Sequence, residues 1–333
     1  MEVPLYLKFS RSVVILNDKT EKNIVKFINQ YKNVKLLWIT WFGGEPLLVF
    51  DRIIKLTKSI RKKIKIPLKA TLITNGYLFN DGIIKKLDKL GINFIQITLD
   101  GLKEVHDKRR PLKNSKGTFD VIIKNIEKIV ELQKNIAISI RVNIDDTNVN
   151  DYHKIYNFIH NRFNKANINV YPGFVENYSN TCVSVNDSCI IDKKKKIDFF
   201  LKQYYEYGIY SDVLYPKYNT SSCIARDING WVIGPRGNLY KCLSVVGMNE
   251  MIIGNINNKK YITNDNLLIE FLIGNDYLTT PKCRSCPLFP ICNGGCPYLI
   301  IKEKLYGEKY DRCHIAKNNL DKFLNTYLAY KNE

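Results

Sequence analysis

Cysteine is concentrated in the last third of this 333-residue chain, and its spacing is the strongest chemical signal in the sequence. Nine cysteines are present, and none of them precedes Cys182. Because thiolate sulfur is a soft ligand, a dense cysteine series favours iron–sulfur clusters or zinc over a hard cation such as magnesium. Seven of the nine form that series: Cys223, Cys242, Cys283, Cys286, Cys292, Cys296 and Cys313.

The distribution of these cysteines helps to decide which metal they hold. Zinc sites usually pair two Cys-x-x-Cys units across a longer loop. Here four cysteines crowd into residues 283–296, and three others lie at a distance. Iron–sulfur sites tolerate such uneven spacing and commonly take one ligand from far along the chain. We therefore predict iron–sulfur, with structural zinc and disulfides as the alternatives, and interpret Cys182 and Cys189 as isolated thiols of a loop.

The cysteine series also resembles a known pattern. It is similar to the SPASM domain, the C-terminal extension of many radical S-adenosylmethionine (radical SAM) enzymes. The matching order is Cys, then Gly-x4-Cys, then Cys-x2-Cys-x5-Cys-x3-Cys, and then a last Cys. The resemblance implies two auxiliary 4Fe-4S clusters. The first would be held by Cys223, Cys242 and Cys296, which is one ligand short of four. The second would be held by Cys283, Cys286, Cys292 and Cys313.

Helical segments alternate with β-branched and aromatic segments along the first half of the chain. Near-continuous apolar strands that alternate with helices predict an α/β fold, in which helices cover a parallel sheet. The predicted helices are 18–31, 51–64, 81–91, 119–133 and 152–163, and the predicted strands are 35–42, 70–74, 93–99, 136–144 and 166–171.

Polar or glycine-rich loops follow several of these strands, at the position where α/β proteins place their sites. Gly43-Gly44-Glu45-Pro46 follows one strand, Thr74-Asn75-Gly76 ends the next, and Thr98-Leu99-Asp100-Gly101 ends the one after. A carboxylate such as that of Glu45 can pair with the ammonium group of a ligand. Together these strand ends predict a ligand pocket.

The same segments resemble the radical SAM core, in the right order. The resemblance implies that Glu45, in a GGEP motif, holds the amino group of SAM, and that Tyr171 ends the sixth strand near the adenine. His106, Asp107 and Arg110 match a stretch of peptide-modifying members. The residues that the resemblance assigns to SAM binding are Gly43, Gly44, Glu45, Pro46, Asn75, Thr98, Asp100, Arg141 and Asn143.

One departure from that core is serious. Its defining Cys-x3-Cys-x2-Cys, in the loop after the first barrel strand, has no counterpart here. We therefore expect a partial (β/α)6 radical SAM barrel that lacks strand one, followed by a small cysteine-rich iron–sulfur domain. The strand at 35–42 would then be an exposed edge prone to aggregation. The expected divisions are a truncated core at 1–175, a bridging segment at 176–222 and a SPASM domain at 223–333.

The predicted function is that of a radical SAM/SPASM enzyme which, when intact, modifies a peptide or protein through hydrogen abstraction by a 5′-deoxyadenosyl radical. The alternative is a non-catalytic iron–sulfur binding or electron-relay protein. Sulfatase maturation is a less favoured form of the first hypothesis, because Leu243 follows Cys242 where those enzymes usually have aspartate. The implied cofactors are SAM and two auxiliary 4Fe-4S clusters. The implied partners are a peptide or protein substrate and an electron donor such as ferredoxin or flavodoxin.

Charge and hydropathy narrow the remaining classes of function. The formal net charge is +19, but the lysines are spread over every predicted helix rather than gathered into a stripe, so we expect no nucleic-acid partner. No apolar run of about eighteen residues exists, so we expect no membrane partner. Nothing at the N-terminus resembles a signal peptide, and we expect a cytoplasmic location.

Overall fold

The chain folds into two compact units in a computed structural model. The first comprises Met1–Cys189 and Asn229–Asn264, and the second comprises Ile190–Ile228 and Asp265–Glu333. Cys182 and Cys189, interpreted above as isolated thiols, lie outside the described residues. The structure describes residues 2–8, 14–31, 33–175, 191–215, 223–274, 278, 280–292, 294–307 and 309–333.

A mixed sheet of nine strands forms the centre of the first unit, in the order β6-β5-β4-β3-β2-β1-β7-β8-β9. The strands from β6 to β7 in this order run parallel, whereas β8 and β9 are antiparallel to their neighbours. The strand bounds are β1 Glu2–Lys8, β2 Leu36–Phe42, β3 Leu68–Thr74, β4 Ile92–Thr98, β5 Ala137–Ile144, β6 Ile168–Phe174, β7 Trp231–Ile233, β8 Asn238–Tyr240 and β9 Gly254–Asn255. The predicted α/β fold with a parallel sheet is confirmed.

The expectation that strand one is missing is wrong. Glu2–Lys8 lies parallel to β2, with Glu2 opposite Leu36 and Lys8 opposite Phe42. Pro4 cannot donate a ladder hydrogen bond, which weakens the strand signal in the sequence. In the fold this segment pairs with β2 on one side and with β7 on the other. Because β2 therefore has a neighbour on each side, the expected exposed edge at 35–42 is wrong as well.

Helices cover the parallel part of the sheet. Their amphipathic sequences explain their placement: in the first helix, Ile24, Phe27 and Ile28 share one face and are buried. Two of these helices are capped by the asparagine that precedes them, since Asn17 accepts from Thr20 N and Asn80 accepts from Ile83 N. The helices of the first unit are α1 Asp18–Asn29, α2 Phe50–Lys63, α3 Asp81–Ile84, α4 Lys103–Arg109, α5 Phe119–Leu132 and α6 Tyr152–Arg162.

The predicted helix 81–91 and the predicted loop around His106 differ from the structure. The first is a short α3 followed by a 3-10 turn at Asp88–Leu90, which ends at Gly91 with φ +75°. Glycine is favoured at such a helix end, because the left-handed conformation is costly for other residues. The second, expected as loop, is α4.

Strands β7 to β9 come from the segment that was assigned to the C-terminal domain. Asn229–Asn264 belongs with the first unit in packing, because β7 continues the sheet beside β1. The division into functional domains at 175 and 222 stays a prediction.

The second unit is helical in its described part. Asp192 caps its first helix by accepting from Lys195 N at 2.8 Å. No helix in the described ranges is long and apolar enough to cross a membrane. The helices are α7 Lys193–Tyr207, α8 Asp265–Leu272, α9 Pro281–Arg284, α10 Phe289–Cys292, α11 Pro297–Tyr306 and α12 Leu320–Asn332.

Candidate functional site

Glu45 lies just beyond the carboxyl end of β2, where it begins a 3-10 turn at Pro46. Its Oε1 accepts from the backbone N of Leu47 at 3.0 Å and from the hydroxyl of Thr74 at 2.6 Å. Its Oε2 accepts from the backbone N of Asn75 at 2.8 Å. Burial raises the pKa of Glu45, and these three hydrogen bonds oppose that rise because they stabilise the carboxylate. The ends of β2 and β3 are thereby joined through one acidic side chain.

The turn after β3 depends on glycine at position 76. Gly76 has φ +79°, and a Cβ there would lie 2.9 Å from Cγ2 of Ile97. Its carbonyl accepts from the Asn125 side-chain amide at 2.9 Å. The turn therefore keeps the exposed Asn75 at the edge of the sheet, with its backbone N directed at Glu45.

Asp100, just beyond β4, is the most buried carboxylate among the predicted site residues, with 3% of its surface exposed. Its Oδ2 accepts from Nε of Arg110 at 2.8 Å, and Nε of Arg109 lies 3.4 Å away. Its Oδ1 is buried and has no hydrogen-bond partner within the described part of the chain. Two guanidinium groups offset the cost of burying this charge, since an unpaired buried carboxylate would be strongly unfavourable.

A second acidic residue shares these arginines. Asp145, just beyond β5, lies 2.8 Å from Nη2 of Arg109, and this guanidinium lowers the pKa of Asp145 against the opposing effect of burial. Asn148 donates from Nδ2 to the backbone oxygens of Asp100, at 2.7 Å, and Asn143, at 2.8 Å. The ends of β4 and β5 are thus held together by polar side chains.

One face of β4, β5 and β6 is polar near the carboxyl ends. In the parallel register Thr98 lies opposite Arg141, and Arg141 lies opposite Tyr171. These three residues are half-buried, whereas the alternate positions on the helix-covered face, such as Ile97, are buried. Because opposite residues of a parallel pair share a face, the three side chains stand in one row. The Tyr171 hydroxyl also donates to Oε1 of Gln96 at 2.8 Å.

Arg141 and Asn143 contact each other on this face. Nε of Arg141 donates to Oδ1 of Asn143 at 2.9 Å. A Cβ at Gly173 on β6 would lie 2.4 Å from that Nε, so a larger residue there would displace the guanidinium from this position. The polar face therefore presents a cation, an amide and a phenol beside one another.

His106 is fully buried in α4 and forms part of the framework of this edge. Its Nδ1 accepts from the backbone N of Asp100 at 3.2 Å, and its Nε2 lies 3.1 Å from the hydroxyl of Thr118. Because Nδ1 accepts, the proton of the neutral ring is on Nε2 and is donated to Thr118. Asp107 accepts from the backbone N of Thr118 and of Phe119, which satisfies the start of α5. The His-Asp stretch thus has a structural role here.

The protonation of His106 should make the stability of the fold depend on pH. Burial lowers the pKa of His106 to about 4, from the 6.5 of an exposed histidine. As the pH falls, the unfolded chain binds the proton first, so the contribution of His106 to stability is complete above pH 6.5 and is lost between pH 6.5 and 4. That loss amounts to roughly 3 kcal/mol at its limit. Urea unfolding at a series of pH values should show it.

The control for this prediction is the His106→Gln variant, whose side chain does not titrate. It should be less stable at pH 7.5 and should show a flatter dependence between pH 6.5 and 4. Burial also lowers the pKa of His160 and of His314, so the difference between the two proteins isolates His106. Equal slopes in both proteins would contradict the assignment.

The structure brings the nine predicted SAM-binding residues to one edge of the sheet, at the ends of β2 to β5. Glu45 and Asn75 contact each other directly, as do Arg141 and Asn143. The sequence prediction did not include several residues that shape this edge. A polar residue within an apolar strand was the available signal for Gln96, but no local signal identifies the others. Those residues are Gln96, Asp145 and Asn148.

Four of the seven C-terminal cysteines line one cavity of the second unit. No group of three or more His, Cys, Asp or Glu side chains within the described ranges is placed to hold a single metal ion. The four thiols share the lining of this cavity. A tetrahedral zinc site would need its sulfurs about 2.3 Å from a common centre. The four are Cys283, Cys286, Cys292 and Cys313.

The other three cysteines are divided between the units. Cys223 and Cys296 belong to the second unit, and Cys242 belongs to the first. Burial raises the pKa of the Cys296 thiol, and the nearby Cys223 raises it further. Arg226 donates to the carbonyl of Gly295, which lies next to Cys296. The joint assignment of the three to one cluster stays a prediction.

Comparison with known proteins shows similarity to radical SAM proteins. Residues 11–159 match the sequence model of the radical SAM superfamily. The chain is 31% identical over 121 residues to the Fe-coproporphyrin III synthase of Methanosarcina barkeri. The aligned region covers 36% of this chain and 28% of that protein. It is 27% identical over 280 residues to a cysteine-type anaerobic sulfatase-maturating enzyme of Clostridium novyi. The aligned region covers 76% of this chain and 71% of that enzyme.

A solved structure has a similar fold along nearly the whole chain. The structure described as native anSMEcpe with bound AdoMet and Cp18Cys peptide superposes with a TM-score of 0.69. The superposition covers 98% of each chain, at 18% sequence identity. This likeness shows the fold.

Proposed function

This chain carries a radical SAM domain, and we propose that the domain binds SAM and a peptide or protein substrate at the carboxyl edge of its parallel sheet. The observation that carries the proposal is the carboxylate of Glu45, which three donors hold in place at that edge. The relative from Clostridium novyi is named for sulfatase maturation, and the solved structure with the similar fold holds AdoMet and a peptide. Both support the same class of substrate here.

Glu45 is suited to bind an ammonium group. A carboxylate has about four acceptor positions, and the backbone and Thr74 use three of them. The remaining position, on Oε2, would accept from the amino group of SAM. Because the three existing hydrogen bonds fix the carboxylate before the ligand arrives, little conformational entropy is lost when it binds.

The polar face of β4 to β6 supplies groups for the rest of the ligand. Arg141 would pair with a carboxylate, and Asn143 and Thr98 would hydrogen-bond hydroxyl groups of a ribose. Tyr171 offers an aromatic ring, on which a purine can stack. Asp100, Arg109 and Arg110 would act as positioning residues, because they hold the loops that follow β4 and β5.

The second part of the proposal concerns the C-terminal thiols. Cys283, Cys286, Cys292 and Cys313 would hold one auxiliary 4Fe-4S cluster in the cavity that they line. A cubane cluster separates its thiolate ligands more widely than a single zinc ion does, which agrees with thiols that surround a cavity. Cys223, Cys242 and Cys296 would hold the other. The bound clusters supply electron transfer, and the protein positions them and excludes water.

The cluster of the radical SAM core, unlike the auxiliary clusters, has no cysteine ligands in this sequence. It needs three thiolates in the loop after the first strand, and no cysteine precedes Cys182 in this sequence. The residues of the chain do not fit that cluster, and we derive no step through it. Hydrogen abstraction by a 5′-deoxyadenosyl radical is proposed only for a form that contains such thiolates. The missing thiolates also favour the second candidate function, a non-catalytic iron–sulfur binding or electron-relay protein.

Sulfatase maturation is a narrower form of the first function. The relative from Clostridium novyi favours it, and Leu243 after Cys242 disfavours it, because an acidic proton acceptor is expected at that position. Lys241, on the other side of Cys242, is fully buried over the ring of Trp231 and donates to the carbonyl of Gly230. It offers no replacement for the carboxylate. We therefore propose a peptide or protein substrate without narrowing it to a sulfatase.

Replacing the carboxylate of Glu45 tests the SAM site. Glu45→Gln should weaken SAM binding by roughly 10- to 150-fold, because a hydrogen bond to a charged group contributes about 1.5–3 kcal/mol. Titration calorimetry without oxygen measures the affinity. The matched control is Glu104→Gln, which removes a carboxylate from an exposed position of α4. Urea unfolding of both variants separates a loss of binding from a loss of folding.

Two outcomes would reject this assignment. Unchanged SAM affinity in Glu45→Gln would mean that the carboxylate serves only to join β2 and β3. An equal loss of affinity in Glu104→Gln would show that overall charge, rather than the Glu45 position, controls binding.

A further inference from the structure

Cys313 borders two cavities of the second unit. One is the cavity lined by the four cysteines, and the other is an open cavity of about 480 Å³ that α7 and the start of α12 help to line. Cys313 and Lys317 line both, so they form the wall that separates them. A thiolate ligand at this position would lie between a cluster and the open cavity.

The open cavity is rich in lysine. Four lysines and two aspartates line it, and its apolar lining residue, Ile197, is buried. Lys193 pairs with Asp311 at 3.1 Å and donates to the carbonyl of Cys313 at 2.9 Å. Lys194 and Lys322 are exposed and form no ion pair within the described part of the chain. We call Lys193, Lys194, Lys317 and Lys322 the lysine face.

One lysine of this face contacts the thiol itself. Nζ of Lys317 lies 3.4 Å from Sγ of Cys313, within the range of a hydrogen bond to sulfur. Lys317 also lines the cavity that Cys283 and Cys286 line. The positive surface therefore continues, through Lys317, into the lining of the cysteine cavity.

We propose that the lysine face is the docking surface for a small acidic protein that carries one electron, such as an iron–sulfur or flavin carrier. The reduced carrier loses one electron, the cluster held by the four cysteines gains it, and no bond forms or breaks. This inference rests on the proposed function in one respect, since it needs that cluster to be present.

Two physical arguments favour an electron carrier over the peptide substrate at this face. Electron-transfer complexes are small, polar and short-lived, and they depend on opposite charges for encounter. A bound peptide usually needs a sheet edge or apolar pockets for its side chains. The lysine face lies on helices and loops and exposes charge, so it fits the first description. Its position beside Cys313 also brings a carrier close to the cluster.

The test reverses the charge at the two exposed lysines. The double variant Lys194→Glu/Lys322→Glu places acidic residues in the first turns of α7 and α12, where a carboxylate is favourable for a helix. Stopped-flow absorbance, without oxygen, follows reduction of the protein by a reduced acidic 2Fe-2S ferredoxin. The second-order rate constant should fall by about tenfold or more at low ionic strength, and the difference should vanish near about 0.5 M salt.

The control carries the same change of charge in the other unit. Lys19→Glu/Lys22→Glu alters two exposed lysines near the start of α1. Its rate constant should stay within about twofold of the wild type, because docking depends on the local field. Reduction by dithionite should proceed equally in all three proteins, which shows that the cluster is intact.

Several outcomes would overturn the inference. An equal fall in the control would mean that the net charge of the chain attracts the carrier everywhere. An unchanged rate in the lysine-face variant would mean that the carrier docks elsewhere. Loss of binding to an acidic peptide, with unchanged reduction by ferredoxin, would assign the face to substrate. Iron and sulfide analysis before the kinetics identifies a protein without clusters, and that result would reject the proposed function itself.

Discussion

Protein purified without oxygen is expected to contain about eight iron atoms and a similar amount of sulfide per chain, if both auxiliary clusters are 4Fe-4S. The second cluster has the stronger support, because its four proposed ligands line one cavity. The Cys292→Ala variant should therefore lose about four iron atoms, since three thiolates hold a cubane poorly. It should also unfold more readily in its second unit, because metal binding is coupled to folding. Elemental analysis and urea unfolding measure the two effects.

The matched control for Cys292→Ala is Cys189→Ala. This substitution removes a thiol that is predicted to be isolated, so the iron content should not change. Stoichiometric zinc without sulfide in the wild-type protein would reject the clusters and restore the structural-zinc alternative. About four iron atoms in the wild type, and none in Cys292→Ala, would confine the proposal to the second cluster.

The cysteine pattern was informative because the spacing of ligands reflects what they bind. Gly294 and Gly295 both adopt positive φ between Cys292 and Cys296, so the glycines are required by the local backbone. The sequence could not show that Lys317 contacts Cys313, because a lysine four residues further along the chain carries no distinctive signal. Nor could it show that Asn229–Asn264 packs with the first unit, because pairing of β7 with β1 joins residues far apart in sequence.

The positions of the core strands along the chain were predictable, and the polar framework beneath the site was not. Alternating apolar strands and amphipathic helices locate the ends of β2 to β5 within two residues and those of β6 within three, because periodicity follows directly from burial on the two faces. Asn148 and Arg109 are ordinary polar residues in the sequence. They join β4 to β5 only because the parallel register brings those strand ends together. Such contacts depend on tertiary structure.

The first strand was expected to be absent, but it is present in the structure. The absent cysteine motif led to the inference that strand one was absent too, although these are separate features of the sequence. EVPLYLK has apolar residues on both sides of Pro4 and forms β1. Parallel strands buried between two neighbours need only an apolar run, which short segments supply easily. A missing catalytic motif therefore says little about the strand that precedes it.

A polypeptide of this sequence is expected not to cleave SAM reductively, even where it binds SAM. Cleavage needs an iron atom with an open coordination position beside the sulfonium, held by thiolates close to the SAM site. The loop that follows β1 contains no cysteine, and the seven C-terminal cysteines lie far along the chain. The protein mixed with SAM and dithionite without oxygen should give no 5′-deoxyadenosine above a protein-free control. Mass spectrometry of the quenched mixture measures the product.

A graft of the missing cysteine ligands tests whether their absence is the reason that SAM is not cleaved. Replacing part of the loop between β1 and α1 with a Cys-x3-Cys-x2-Cys segment should add about four iron atoms and should allow cleavage of SAM. The same graft with serine in place of each cysteine is the control for the changed loop length. Because Glu45 would hold the amino group of SAM beside the new cluster, adding Glu45→Gln to the graft should lower product formation again. Multiple turnovers by the ungrafted protein would contradict the argument and would require ligands for a core cluster among residues other than cysteine. If the graft gains iron but yields no 5′-deoxyadenosine, the electron-relay function gains over the enzyme, since the edge at Glu45 would then hold a cluster without placing SAM for reaction.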